Sequence, residues 1–328
     1  MTAIAPHMSA FLEDYLVRQR GSSAHTCDTY AYSFQLLFKF TSEQLKLLPS
    51  AMELEQIDAP LVTRFLEYCE VSLGNTPSTR NVRLAAIKSF FHFLEFRVPS
   101  AMDQCCRIFS IPFKRTESRL VPYLTKEETQ AILDMPDMST RNGIRDYAMI
   151  HLALTTGLRV AELTGLLITD LTFQPSASIL IRGKGRQERK LPLWKETVTT
   201  LQSWLSVRGD VQTPELFVNN RGEQLTRWGF AHLLKKYVKL ASHECQTLEK
   251  KRVSPHVLRH TCAMTALLAT RDIRKVALWL GHNSTQSTEV YVRADPTEKL
   301  EAINSIIPVS IRKGEFSVPD KLIASLKR

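Results

Sequence analysis

The segment from Ser254 to Tyr291 constrains the fold and the chemistry of this chain more than any other part of it. Serine is a residue type that caps helices, and Pro255 fits the first helical position, so the sequence predicts a helix that begins here. On that helix His256 and Arg259 lie three residues apart and share one face. An imidazole beside a guanidinium suits an anionic phosphate that must also exchange a proton, and the phenol of Tyr291 could be the nucleophile.

The length and composition predict two globular domains, because 328 residues with 44% hydrophobic residues exceed one ordinary core. No apolar run approaches the roughly 20 residues of a membrane span, so we expect no membrane association. The N-terminus lacks the basic and apolar regions of an export signal, and we therefore expect a cytoplasmic protein.

The six cysteines form no C-x-x-C pair, which disfavours a zinc site or a disulfide framework.

The charge is strongly uneven along the chain, whose formal net charge is +10. Residues 1–112 hold 10 lysines and arginines against 11 acidic residues, whereas residues 113–328 hold 33 against 22. The basic excess therefore lies in the half that contains the His/Arg/Tyr segment. This distribution favours a polyanionic partner.

The first 112 residues read as a helical domain. Ser22 and Ser23 precede a helical apolar pattern, a second helix is predicted over 61–70, and a third runs from about 76 to 96. The third helix carries three cations that suit either phosphate contact or a solvated helix face: Arg80, Arg83 and Lys88. Residues 113–122, which include Lys114 and Arg115, are the predicted basic linker.

The second domain is predicted over 123–313, with a tail helix over 314–328. Thr125 and Glu128 form a helix-start signature. Two short strands, near 178–181 and 190–193, are joined by a turn in which Lys184 stands between two glycines. The predicted fold class is mainly α, with one small antiparallel β-sheet in an α-rich second domain.

Three ordered motifs in this domain carry a family resemblance. His256-x-x-Arg259 is followed by Leu280-Gly281-His282, with 23 residues from Arg259 to His282, and Tyr291 stands nine residues after His282. This set resembles the C-terminal signature of the tyrosine recombinases, also called the phage integrase family.

The resemblance assigns roles to further residues. Arg159, within Thr-Gly-Leu-Arg-Val-Ala-Glu-Leu, is similar to the family's first catalytic arginine, and Glu162 to its acidic companion; an ordinary i,i+3 ion pair is the alternative. Lys184 would donate a proton to the leaving 5′ oxygen, and His282 would bond a non-bridging oxygen. His260 is expected to support the site through a hydrogen bond or to pack in the core. The neighbouring cations are expected to contact the DNA backbone or to be solvated: Arg182, Arg186, Arg189 and Lys190.

The resemblance also implies the reaction and the partners. A helical core-binding domain and a catalytic domain would grip double-stranded DNA at a specific site as a C-shaped clamp, with no metal ion or other cofactor. Tyr291 would form a 3′-phosphotyrosyl link. Because the pKa of an ordinary phenol is about 10, nearby cations and a base must activate it. The enzyme would act as a dimer on one site and a tetramer in the synapse, either as a homo-oligomer or with related recombinase subunits. The tail would dock on a neighbouring protomer.

Several functions stay open at this point. The long tail and the looser match of the first domain favour the integrase or transposase of a mobile element, and chromosome dimer resolution is the alternative. From other classes, a non-catalytic DNA-binding protein on the same fold, a type IB topoisomerase and a helix-turn-helix regulator are weaker interpretations. A covalent adduct formed with a nicked suicide DNA would separate them.

Overall fold

The computed structural model describes residues 2–116, 121–183, 188–281 and 288–291. The chain divides into two compact units, residues 1–119 and 120–328. Among the described helices, none combines the length and the apolar character that crossing a bilayer requires.

The described elements of the first unit are helices, apart from one isolated β-bridge between Ala3 and Glu53. Its α-helices are α1 (Ile4–Ser9), α2 (Ala24–Leu45), α3 (Ala59–Val71), α4 (Pro77–Leu94) and α5 (Met102–Phe109), with a π-helical segment at Ala10–Gln19. Helices α2, α3 and α4 each begin at a capping residue. The side chains of Ser23, Asp58 and Thr76 accept a hydrogen bond from a main-chain N–H of the first turn. The predicted helices are therefore present, with α4 ending two residues earlier than the sequence pattern indicated.

An aromatic core holds these helices together. Phe11 contacts Phe34 and Phe90 with ring centroids 6.0 and 5.3 Å apart, both in edge-to-face geometry. Such pairs add to the free energy gained from burying the rings themselves. Because the three rings come from the π-helical segment, α2 and α4, their contacts hold these three elements together.

The second unit surrounds one small sheet with helices. Its α-helices are α6 (Lys126–Leu133), α7 (Arg141–Thr156), α8 (Val160–Thr164), α9 (Lys195–Arg208), α10 (Arg227–Ala241), α11 (Pro255–Thr270) and α12 (Ile273–Leu280). Residues 288–291 form a further helical turn. The strands are β1 (Leu171–Thr172), β2 (Ser178–Arg182) and β3 (Glu188–Pro192), antiparallel in the order β1-β2-β3. The mainly α fold with a small antiparallel sheet is confirmed, and β1 is a strand that the sequence pattern did not predict.

The junction between α7 and α8 requires a glycine. Gly157 ends α7 with a φ of +63°, and a Cβ atom built there would lie 2.6 Å from the side chain of Leu280. Both the left-handed backbone and the close approach of α12 therefore exclude a larger residue. This turn brings the start of α8 beside the end of α12.

Candidate active site

The start of α8 places Arg159 at the surface and Glu162 beneath it. The Glu162 carboxylate accepts hydrogen bonds from the main-chain N–H of Arg159 at 2.8 Å and from its Nη1 at 3.0 Å. The Arg159 side chain is 42% exposed, whereas that of Glu162 is only 6% exposed. The pair therefore presents a fixed guanidinium to solvent, an arrangement that can bind a phosphate oxygen.

A second arginine binds the same carboxylate from the sheet. Arg189 of β3 donates to Glu162 Oε1 at 3.1 Å and to Oε2 at 2.8 Å. Burial raises the pKa of Glu162, but the hydrogen bonds from Arg189 and Arg159 and their charges outweigh it, so that the pKa lies below its ordinary value. The expectation that Arg189 is a solvated or DNA-contacting charge is not what the structure shows. Its strand partner Ile181 is buried, so alternation along β3 directs Arg189 inward.

Arg259 joins two segments of the site from the middle of α11. Its side chain is buried, and it donates from Nη1 to the Gly157 carbonyl oxygen at 2.5 Å and from Nη2 to the Leu280 carbonyl oxygen at 2.9 Å. These bonds use two of the five N–H groups of the guanidinium. Burial and the nearby charge of Arg159 lower the pKa of Arg259 to about 10. Through these two hydrogen bonds, the charged side chain of Arg259 connects the turn before Arg159 with the end of α12.

Two histidines of α11, His256 and His260, lie near Arg259 and the phenol of Tyr291. Ser254 and Pro255 begin α11 as predicted, although the Ser254 hydroxyl makes no capping hydrogen bond. The rings of His256 and His260 lie edge to face with centroids 5.1 Å apart. Nδ1 of His260 lies 2.9 Å from the hydroxyl oxygen of Tyr291, which is hydrogen-bond distance. The predicted support of the site by His260 thus takes the form of a direct contact with the phenol.

The surroundings set the protonation of these groups. Partial burial, and then the charges of Arg259 and Arg159, lower the pKa of His256 below its ordinary value. Burial raises the pKa of Tyr291; Arg259 and Arg159 oppose this, but the net direction is upward. The cations alone therefore do not activate the phenol in this state, because Tyr291 is packed into an apolar cluster with Ala263, Met264 and Leu280. A neighbouring base is needed, and His260 is placed to be one.

Some of the sequence-predicted positions lie outside the described residues. These are Lys184 and Arg186 between β2 and β3 in the sequence, His282 after α12, and the tail over 314–328. The structure brings together the remaining predicted site residues: Arg159, Glu162, His256, Arg259, His260 and Tyr291. Within the parts of the chain that the structure describes, no group of three or more His, Cys, Asp or Glu side chains is arranged to hold a metal ion.

The cations of α4 occupy positions that neither interpretation of the sequence anticipated. Arg80 and Arg83 are 6% and 8% exposed, so they do not form a solvated face. Arg80 donates to the Pro112 carbonyl oxygen at 2.8 Å, and Arg83 donates to the Ser33 hydroxyl at 2.9 Å. Lys88 donates to the main-chain oxygens of Phe109 and Ile111, at 2.8 and 2.6 Å. Their long side chains reach oxygens at the end of α5, just after it, or on α2, and periodicity within α4 cannot reveal such contacts. DNA contact by these three residues stays a prediction.

The other predicted DNA-contacting residues are more accessible. Arg115 is exposed, and Lys114 is half-exposed while its ammonium lies 2.7 Å from a Glu70 carboxylate oxygen. Arg182 is half-exposed and pairs with Asp170, which is buried. A DNA phosphate would compete with these carboxylates for Lys114 and Arg182.

The fold and the site together define a class of protein. Two arginines, two histidines and a buried tyrosine converge in an α-rich unit, and they can bind one phosphate and transfer it to a phenol. The sequence profile of the phage integrase family matches residues 122–298, and that of the phage integrase N-terminal SAM-like domain matches residues 9–97.

Individual relatives agree with this class. The chain is 40% identical over 326 residues to y4rC of Sinorhizobium fredii, a protein named as an integrase/recombinase; the match covers 99% of this chain and 98% of y4rC. It is 31% identical over 318 residues to the tyrosine recombinase XerC of Myxococcus xanthus, covering 94% of this chain and 99% of that protein.

Solved structures share the fold. The XerH site-specific recombinase bound to a palindromic difH substrate aligns with a TM-score of 0.68 and 24% identity, covering 90% of this chain and 84% of that one. The Tn1549 transposon integrase in complex with circular intermediate DNA aligns with a TM-score of 0.67 and 18% identity, covering 93% and 100%. The chain belongs to the phage integrase family, the tyrosine recombinases. Members of this family are site-specific DNA recombinases, so the predicted family and enzyme class are confirmed.

Proposed function

We propose that Tyr291 is the nucleophile that cuts and rejoins DNA through a 3′-phosphotyrosyl intermediate. The Tyr291 oxygen attacks the phosphorus, the bond from phosphorus to the 5′ oxygen breaks, and Lys184 gives that oxygen a proton. A 5′-hydroxyl of another strand then attacks the phosphotyrosyl link and releases the tyrosine. One phosphodiester is exchanged for another, so the sequence of steps consumes no nucleotide.

The charges of the site support this chemistry. Arg159 and Arg259 bind the non-bridging oxygens and stabilise the negative charge that concentrates on them in the transition state. His282 adds a hydrogen bond to one of these oxygens, and His256 serves as general acid and base at the phosphate. No metal ion or other cofactor enters the proposed reaction.

The single observation that carries the proposal is the contact between Tyr291 and His260. At 2.9 Å from the phenol oxygen, Nδ1 of His260 can accept the proton that the phenol must lose. His260 stands four residues after His256, on the same helix and one turn further along. We infer that His260 activates and orients the phenol, while His256 acts at the phosphate.

A nicked suicide DNA tests the proposal. Cleavage beside the nick releases a short 5′-hydroxyl fragment, so the covalent intermediate cannot be reversed and accumulates. DNA from the flanks of the gene supplies candidate sites, and peptide mapping identifies the adducted residue. We expect an adduct on Tyr291, none with Tyr291→Phe, and an undiminished adduct with Tyr147→Phe. An adduct that persists in Tyr291→Phe would refute the assignment, and relaxation of any plasmid at equal rate would favour a topoisomerase.

For the biological role, we propose recombination for a mobile element in the cytoplasm. The similarity to y4rC, named as an integrase/recombinase, and to the fold of a transposon integrase supports this role. The similarity to XerC keeps chromosome dimer resolution as the alternative. Recombination between ends taken from the flanks of the gene, without activity on a chromosomal resolution site, would support the mobile-element role; the reverse pattern would overturn it.

We further propose that both units contact the DNA and that protomers pair on one site and form a tetramer in the synapse. The helical core-binding domain would cover 1–112, the linker 113–122 and the catalytic domain 123–313. Phosphate contacts by Lys114, Arg115 and Arg182 would add to the grip, because these side chains are at least half-exposed. Residues 314–328 would dock on the neighbouring protomer; their deletion should abolish cooperative assembly and spare single-site binding.

A further inference from the structure

We propose that Arg189 is a positioning residue of the strand-transfer reaction, holding the start of α8, which carries Arg159, and Gly281 at the end of α12 in one fixed arrangement. This inference rests on the proposed function of Arg159 as a phosphate-binding arginine. It concerns a strand residue whose guanidinium binds Glu162, and its role is exerted through Glu162 and Gly281.

The first contact runs through Glu162. Arg189 binds both carboxylate oxygens of Glu162, at 3.1 and 2.8 Å, while Glu162 binds both the main chain and the side chain of Arg159. Two parallel N–H bonds fix the plane of the carboxylate as well as its position. Because the Arg159 side chain is 42% exposed and its guanidinium donates to Glu162, we infer that the orientation of Glu162 determines where that guanidinium points.

The second contact is with the residue that precedes His282. A Cβ atom built on Gly281 would lie 2.8 Å from Cδ of Arg189 and 2.9 Å from its Nη1. The Arg189 side chain therefore occupies the space that any larger residue at position 281 would need. Gly281 also has a φ of +64°, which favours glycine independently. One side chain of β3 thus lies against both Glu162 and Gly281.

The charges around Glu162 explain why a neutral replacement should matter. Three cations act on the Glu162 carboxylate. They are Arg159 at the start of α8, Arg189 of β3 and, through its charge, Arg259 of α11. The Glu162 side chain is only 6% exposed, and such burial favours the protonated carboxyl. The carboxylate stays ionised because these cations surround it. Without Arg189, burial would shift the carboxyl toward its protonated form, and a protonated Glu162 would hold Arg159 less firmly.

The test compares Arg189→Met with Lys195→Met in the full-length protein, by the rate of adduct formation on the nicked suicide DNA. Lys195 is exposed at the start of α9 in the same unit, so it controls for the loss of one positive charge. We expect Arg189→Met to slow adduct formation about 10- to 100-fold, with DNA affinity changed less than about threefold, because misplaced groups reduce rates of this order. Its rate should also fall further toward acidic pH, where Glu162 becomes protonated. Equal rates for the two variants would overturn the proposal.

The double variant Glu162→Gln/Arg189→Met separates positioning from stability. It leaves neither a buried unpaired carboxylate nor its arginine partner, so the melting temperature should recover toward the wild-type value. A positioning role predicts that the rate stays low and is no worse than that of the slower single variant. A rate that recovers together with the melting temperature would show that Arg189 acts only on stability. If Arg189→Met fails to fold, Arg189→Lys decides: a native melting temperature with a reduced rate supports the role, and a wild-type rate overturns it.

Failure of the proposed function is visible in the same assay. If wild-type protein forms no tyrosine adduct, the strand-transfer proposal itself fails. If the wild type forms one and Arg189→Met forms it equally fast, only the inference about Arg189 is wrong.

Discussion

Replacing Arg259 with methionine is the perturbation whose outcome the structure determines most fully. The guanidinium is 3% exposed and donates to the carbonyl oxygens of Gly157 and Leu280 at 2.5 and 2.9 Å. Hydrogen bonds from a charged donor contribute about 1.5–3 kcal/mol each, and their loss leaves two carbonyl groups without their donor. Methionine carries no charge that must be dehydrated, which offsets part of the loss. We therefore expect the free energy of unfolding to fall by about 2–4 kcal/mol.

Thermal unfolding followed by circular dichroism measures this loss. For a unit of about 200 residues, it corresponds to a melting temperature lowered by roughly 5–15 °C. Arg159→Met is the matched control, because its side chain is 42% exposed; its melting temperature should change by less than about 3 °C, although both variants lose DNA cleavage. If Arg259→Met melts within about 2 °C of the wild type, the arginine does not tie the two segments together and the reasoning is refuted.

Three further predictions concern the histidines and the phenol. Tyr291→Phe keeps the buried ring but loses the hydroxyl, so DNA affinity measured by gel shift should change less than about threefold while no covalent adduct forms; a greatly weakened affinity would contradict this. His260→Gln should slow adduct formation about 100-fold, with partial recovery at alkaline pH, whereas His243→Gln, an exposed control, should leave the rate unchanged. Because the pKa of His256 is lowered in the folded protein, the unfolded chain binds that proton more tightly, and this histidine reduces the free energy of unfolding as the pH falls below about 6.5. Denaturant titrations at about pH 7 and 5 should therefore show a smaller acid-induced loss in His256→Gln than in the wild type, and an unchanged loss would contradict the assignment.

Local signals in the sequence predicted most of the helical fold. Ser23, Thr76 and Thr125 are helix caps whose side chains accept main-chain hydrogen bonds, as their residue types indicated. The spacing of the His/Arg/Tyr motifs likewise predicted residues that the structure brings together, because α11 and the turn at 288–291 are short, regular elements. Strand β1 was missed, since two residues give no periodic pattern.

Contacts between distant segments were not predictable in the same way. The sequence groups Arg189 with cations expected to contact the DNA backbone or to be solvated, whereas alternation along β3 directs it inward with Leu191. The buried positions of Arg80, Arg83 and Lys88 depend on where the main chain runs after α5 and on the packing of α2, which periodicity within α4 does not report. The raised pKa of Tyr291 follows from the depth of its burial, a property of the assembled unit.

In the proposed reaction a single chain supplies both the nucleophile and the arginines, because Tyr291 contacts His260 of the same protomer in the unit that holds Arg159 and Arg259. Mixing Arg159→Gln with Tyr291→Phe on the nicked suicide DNA tests it most directly. In the mixture, one protein keeps the tyrosine without the arginine, and the other keeps the arginine without the tyrosine. Cleavage within one chain predicts that the mixture forms no more adduct than either variant alone. Adduct recovered on the Arg159→Gln chain would show that the tyrosine is supplied across protomers, and would contradict the account.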